Sequence, residues 1–140
     1  MNDAATRTTP FEQIGGQETV NRLVDAFYDR MDSLPEARTI RALHGADLTE
    51  IRGVLKKYLG EWLGGPRAYS AERGHPRLRA RHLPFPIGAA ERDAWMLCMS
   101  GALAATVADA AAREHIHAAL LKLADWMRNR ADDTPTQDAP

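Results

Sequence analysis

Between Val20 and Met127 the apolar residues of this chain recur three and four positions apart, and no stretch alternates apolar with polar. Side chains three and four apart share one face of a helix, whereas a half-buried strand needs strict alternation. The chain therefore reads as all-α. Val20, Leu23, Val24, Phe27, Tyr28 and Met31 make one stripe and predict a helix over about residues 17–32, opened by a turn at Gly15-Gly16. Ser33, followed by Pro35 and Glu36, predicts the start of a short helix that carries Ile40 and Leu43 and ends at Gly45. Asp47 with Glu50 predicts a capping box for a third helix. Its stripe is Leu48, Ile51, Leu55, Tyr58, Leu59 and Trp62, and Gly64-Gly65-Pro66 stops it. Two long helices close the pattern. One covers about 89–110 with Trp95, Met99, Leu103 and Val107; the other covers about 113–130 with Ile116, Ala119, Leu120, Leu123, Trp126 and Met127.

Apolar residues make up 44% of the 140 residues, enough for one core of ordinary size. Eighteen basic residues against nineteen acidic leave none of the basic excess expected of a nucleic-acid binder. Cys98 is the single cysteine, so no intrachain disulfide can form, and a reducing compartment suits the chain. The first ten residues are polar, unlike a signal peptide, and the apolar run near 102–108 is far shorter than the roughly 20 residues that cross a bilayer. The expectation is a soluble, cytoplasmic protein with neither a nucleic-acid nor a membrane partner. Residues 1–9 read as a flexible extension, 10–130 as the folded domain, and 131–140, rich in Asp, Thr and Pro, as a flexible tail.

A plain helix bundle would leave one segment unexplained. Residues 64–88 hold four of the eight prolines and four of the ten glycines, which predicts little regular structure beyond a short helical turn. Connections in bundles usually need about two to eight residues, and long ordered ones tend to be functional. Within this one, residues 74–87 bring together His75 and His82, Arg77, Arg79 and Arg81, and the apolar Leu78, Leu83, Phe85 and Ile87. That mixture suits haem. An imidazole coordinates iron, apolar side chains cover the porphyrin, and guanidinium groups pair with propionates. Composition does not choose between His75 and His82.

The runs Gly64-Gly65-Pro66-Arg67-Ala68-Tyr69, Gly74-His75-Pro76-Arg77-Leu78-Arg79, Arg81-His82, Pro84-Phe85 and Glu91-Arg92-Asp93-Ala94-Trp95 occur in that order. Together with Gly15-Gly16 and Phe27-Tyr28, they resemble the signature of group II truncated haemoglobins over about residues 11–128. The resemblance implies a two-over-two helical sandwich around haem b, with His82 as the proximal iron ligand. It implies a ligand-binding side built from Tyr28, Trp95 and His44. Ile51 falls where ordinary globins carry a distal histidine, and Leu55 follows one turn later. Since Ile51 has no donor, hydrogen bonds to a bound ligand must come from Tyr28, Trp95 or His44. The cofactor contacts it implies are Phe27, Leu59, Tyr69, His75, Leu78, Arg79, Arg81, Phe85, Ile87 and Met99. His44 stands where some members carry a tyrosine, and it also lies at a helix end, where capping alone would account for it.

The implied function is reversible binding of O2, CO and NO, with turnover of NO or peroxide as redox roles and an unidentified reductase as electron source. Monomer and homodimer are both open. One buried donor to a partly negative ligand slows its escape by about tenfold to a hundredfold, so two or three donors suit chemistry or sensing better than delivery. Two other readings compete. A cofactor-free helical interaction or sensor module would use residues 64–88 as a docking loop. A non-haem metal site at His75 and His82 matches no usual zinc spacing. His115 and His117 read as surface residues pointing different ways, and Cys98 as a small buried side chain.

Overall fold

The fold was analysed in a computed structural model that describes residues 8–131. Most of residues 1–9 and of 131–140, the two predicted tails, lie outside the described residues. All regular structure among the described residues is helical. Helix α1 (Pro10–Gln13) starts at Thr9, whose hydroxyl accepts from the Glu12 amide at 3.1 Å while the Glu12 carboxylate accepts from the Thr9 amide at 3.2 Å. A proline at the first helical position costs nothing there, because that amide has no partner anyway.

Helix α2 (Gly16–Ser33) buries the whole predicted stripe, Val20, Leu23, Val24, Phe27, Tyr28 and Met31. Ser33 does not open the next element. Its hydroxyl donates back to the Asp29 carbonyl at 2.9 Å, closing α2, and the chain continues as a tight 3-10 turn (Pro35–Ala37) and α3 (Arg38–Arg41). The capping box expected at Asp47 and Glu50 is also absent. Asp47 does accept from the Thr49 amide at 2.9 Å, but α4 (Thr49–Trp62) has Leu48 at its N-cap, and Glu50 pairs with Arg73 at 4.0 Å. Residues 64–88 hold more helix than their proline and glycine content predicts, namely α5 (Ala68–Arg73) and α6 (Leu78–His82). The prolines are compatible because Pro66, Pro76, Pro84 and Pro86 all fall between these pieces.

The final pair is α7 (Ala89–Thr106) and α8 (Ala110–Trp126), both ending about four residues earlier than the stripes suggest. Val107 takes extended backbone, and the Asp109 carboxylate then caps α8 by accepting from the Ala112 amide at 3.1 Å. Helix α2 packs against α4 and α7, and α7 against α8, which gives the two-over-two sandwich. Phe27, Leu23, Met31, Leu59, Met99, Leu103, Ile116 and Leu120 are wholly buried at its centre. Each such side chain contributes about 1.5–3 kcal/mol on leaving water. No helix among the described residues is long and apolar enough to cross a membrane.

Candidate functional site

Helix α6 has five residues, far too few to stand alone in water. It is held by bonds from the far end of the chain. Arg79 Nη1 donates to the carbonyls of Trp126 at 2.5 Å and Arg128 at 2.8 Å, and its guanidinium lies 6.0 Å from the Trp126 ring centroid. Asn129 Nδ2 donates to the carbonyls of His82 at 3.1 Å and Phe85 at 2.8 Å, while its Oδ1 accepts from the Ile87 amide at 3.0 Å. The amides of Asn129 and Arg130 donate in return to the Ile87 carbonyl, at 2.8 and 3.1 Å. The connector is thus stitched to the end of α8.

His82 ends this short helix, half-buried. Its Nδ1 lies 2.6 Å from the Leu78 carbonyl. A carbonyl oxygen only accepts, so Nδ1 carries the proton, and in the neutral ring Nε2 then holds the free lone pair. Metal-binding imidazoles are oriented by a hydrogen bond of this kind from the other ring nitrogen. The donor set therefore fits haem iron. His75 does not share that geometry: it is exposed, and its Nδ1 accepts from the Arg77 amide at 3.1 Å within the turn before α6. Among the described residues no group of three or more His, Cys, Asp or Glu could hold a metal ion.

Tyr28, only 4% exposed on α2, meets the edge of Phe27 at 4.9 Å and of His44 at 6.0 Å between ring centroids. Phe27 in turn lies 5.0 Å from the half-buried Trp95 of α7. His44 Nδ1 donates to the Ile40 carbonyl at 2.9 Å, so His44 both caps a helix end and lies against Tyr28. Burial raises the Tyr28 pKa and keeps the phenol protonated, although the Arg52 cation 5.8 Å from its ring centroid opposes the rise. Ile51, Leu55 and Tyr58 are half-buried on α4 and packed against the core. Burial, helped by Tyr69 and Glu61, pushes the Tyr58 phenol up to about 12.

A cavity of about 430 Å³ opens beside the connector, lined by Tyr58, His75, Leu78, Arg79, Leu123 and Trp126 among others. Three of the expected cofactor contacts are in that wall. Phe27, Leu59 and Met99 sit deeper, wholly inside the core, while Ile87 is half-buried and Phe85 is 39% exposed. Tyr69, Arg79 and Arg81, all expected cofactor contacts, have partners of their own in the fold. Tyr69 is buried, with its ring 5.6 Å edge-on from Tyr58, and so backs the cavity wall. Arg79 spends one guanidinium nitrogen on the carbonyls of Trp126, the last residue of α8, and Arg128 just after it. Arg81 is exposed and donates from Nε to the Pro76 carbonyl at 2.8 Å. His115 is exposed, but His117 is not a plain surface residue, because its Nε2 meets Ser100 Oγ at 2.7 Å and links α8 to α7. Cys98 is buried, which pushes its thiol pKa up, as for an inert packed side chain.

Sequence reasoning passed over Asn129 and Arg52, and read Tyr58 only as part of the α4 stripe. An asparagine just after the last apolar stripe was a usable sign of a helix end, but nothing in the spacing says that its amide reaches back 47 residues to His82. Such a helical sandwich, with an imidazole oriented for a metal, defines a class of protein, the haem-binding globins that take diatomic ligands. The profile of the family described as bacterial-like globin matches residues 9–129. The chain belongs to that family, as a group II truncated haemoglobin. It is 41% identical over 123 residues to the group 2 truncated hemoglobin YjbI of Bacillus subtilis, covering 88% of this chain and 90% of that one. The group II 2-on-2 hemoglobin of Agrobacterium tumefaciens superposes with a TM-score of 0.86 at 45% identity, covering 90% of this chain and 97% of that chain. A solved haemoglobin of Bacillus subtilis, described as truncated and oxygen-avid, gives a TM-score of 0.80 at 41% identity, covering 87% and 100%.

Proposed function

We propose that this globin binds haem b through His82 Nε2 and holds O2 for slow release, in chemistry or sensing and not in bulk delivery. The observation that carries the reading is the 2.6 Å bond from His82 Nδ1 to the Leu78 carbonyl. It selects the tautomer, fixes the ring and raises the basicity of the ligating nitrogen. Haem, when bound, supplies an iron that coordinates diatomic ligands and changes oxidation state.

The chain's own residues set the rest. Tyr28 O–H and Trp95 Nε1–H are the donors for a partly negative ligand. Neutral His44 has its one N–H engaged by Ile40 and presents a lone pair, so it orients a neighbouring donor and does not itself donate. Ile51 and Leu55 exclude water from that side. Residues 10–130 form the globin domain in this reading, in the cytoplasm, and reduction is left to a separate reductase. Turnover of NO by the retained O2 is the reaction class that slow release favours. The oxygen-avid description of the Bacillus subtilis relative supports tight binding.

Optical spectra of wild type beside His82→Ala, in ferric, ferrous and CO-bound forms, test the assignment. Wild type is expected to be red, with a strong near-ultraviolet band that shifts on adding CO. His82→Ala is expected to lose that spectrum and regain it with added imidazole. A variant with an unaltered spectrum would refute His82. A colourless protein that haemin cannot reconstitute would favour the interaction-module reading.

A further inference from the structure

Arg52 follows Ile51 on α4 and reaches across to α2 on either side of Tyr28. Its Nη1 donates to Asp25 Oδ1 at 3.0 Å and to the Asp25 carbonyl at 3.3 Å, and its Nη2 donates to Asp29 Oδ1 at 2.8 Å. Lys56, one turn on, pairs with the other Asp25 oxygen at 3.1 Å. Asp25 and Asp29 are four apart on α2, so the planar guanidinium grips one helical turn at three acceptors. A lone exposed ion pair is weak and loosely placed. This fork is more than one pair, and the Arg52 side chain is only 24% exposed.

The grip sets the guanidinium carbon 5.8 Å from the Tyr28 ring centroid, while the edges of Phe27 and His44 bound the same ring at 4.9 and 6.0 Å. We propose that Arg52 is a positioning residue for Tyr28, holding the phenol ring against α4 and polarising its O–H as a donor to the bound diatomic ligand. A cation near an aromatic ring draws on its π electrons, so the O–H proton becomes more acidic and the bond it donates stronger. Arg52 touches no ligand itself. The gain falls on ligands that carry negative charge, so it raises O2 retention and leaves CO entry alone. This inference rests on Tyr28 lining the ligand side, as read above.

The test uses haem-loaded wild type, Tyr28→Phe, Arg52→Ala, Arg52→Lys and the double variant. O2 dissociation and CO association are timed by rapid mixing. The C–O stretching band is recorded in the infrared, and the Tyr28 Cζ resonance by NMR after labelling tyrosine. Arg52→Ala is expected to speed O2 release about two- to fivefold, the scale of a partly exposed cation–π contact. CO association stays near wild type, the C–O stretch moves toward its Tyr28→Phe position, and the Tyr28 Cζ resonance moves. Arg52→Lys keeps the charge without the fork and restores part of the effect. In the Tyr28→Phe background, Arg52→Ala adds nothing.

Release and stretch unchanged in Arg52→Ala, with Tyr28→Phe faster, would overturn the proposal alone. So would equal acceleration in both backgrounds, which would place the action of Arg52 elsewhere. Tyr28→Phe without effect on O2 release would overturn the site reading beneath it as well. If Arg52→Ala does not fold, Asp29→Asn removes one arm of the fork. The same direction of change is then expected, and its absence would overturn the proposal.

Discussion

Replacing Asn129 by alanine deletes the three side-chain bonds that tie the connector to the end of α8: to the His82 carbonyl at 3.1 Å, the Phe85 carbonyl at 2.8 Å and the Ile87 amide at 3.0 Å. Each intramolecular hydrogen bond contributes about 1 kcal/mol net. The Phe85 carbonyl lies at the surface and regains water, so its loss costs least. Ile87 is half-buried and loses more. Together the loss is about 2–3 kcal/mol, roughly a 30- to 150-fold rise in local opening of the connector. The two backbone bonds to the Ile87 carbonyl and the Arg79 clamp remain. The core should therefore stay folded while the connector loosens.

Amide hydrogen exchange reads this directly. Ile87 is expected to exchange about 30- to 150-fold faster in Asn129→Ala, with Leu103 in the core nearly unchanged. Haem transfer from the loaded variant to an excess of a haem-free globin acceptor should speed up in step, because His82 rides on the loosened segment. Asn129→Asp keeps an acceptor for Ile87 and loses both donors, so it should fall between the two. Unchanged Ile87 exchange would refute the reasoning. So would Leu103 accelerating equally, because the opening would then be global.

Leu103→Ala at a wholly buried position of α7 is expected to cost about 2–5 kcal/mol, read from the midpoint of denaturant unfolding, with ligand spectra kept. Gly65→Ala should destabilise by more than about 1 kcal/mol: an added Cβ would lie 2.6 Å from the Phe11 ring and 2.8 Å from the Gly60 carbonyl oxygen, which cannot shift without breaking its 2.8 Å bond from the Gly65 amide. Thermal melting checks it, and a matching loss in a Phe11→Ala background would show that the backbone clash dominates. Burial raises the Asp25 pKa, but hydrogen bonds and charge from Arg52 and Lys56 outweigh it and leave the carboxyl below its ordinary value. A depressed folded pKa adds stability above the unfolded value near about 3.9 and loses it as pH falls through the folded value. Acid unfolding below that range should accordingly be less steep in Asp25→Asn, and an unchanged acid limb would remove Asp25 from the account.

Much of the fold could be read from spacing alone because burial imposes it. Every apolar residue named for the α2 stripe is buried, since one face of a helix either meets the core or wastes its apolar surface. Ends were harder. Ser33, Asp47 and Glu50 have capping chemistry, yet the first closes the helix behind it and the last turns to Arg73. A capping side chain has several local partners of similar strength, so packing decides among them. Tyr28, His44, His82 and Trp95 enter the proposed site through resemblance, whereas Asn129 and Arg52 do not. Asn129 and Arg52 act across 47 and 27 residues of chain, a separation that periodicity does not encode.

The two histidines are held in the same way. His82 and His44 each donate from Nδ1 to the carbonyl four residues back, Leu78 and Ile40, at or just past the end of a helix of four or five residues. A carbonyl oxygen has two lone pairs, so the Ile40 carbonyl accepts from the Leu43 amide at 3.1 Å and from the His44 ring together. In both places the bond to the carbonyl chooses the tautomer of the neutral ring and exposes the Nε2 lone pair. On His82 that lone pair suits a metal; on His44 it suits an acceptor beside a phenol. Neither short helix holds itself up, so α6 needs the Arg79 and Asn129 bonds to the end of α8. Loosening α6 by Asn129→Ala should therefore weaken the His82–Leu78 bond without touching either residue. Nδ1 and Nε2 nitrogen shifts of His82 in the haem-free chain would report it, and an unmoved pair of resonances would show that α6 holds the ring without the bonds from Asn129.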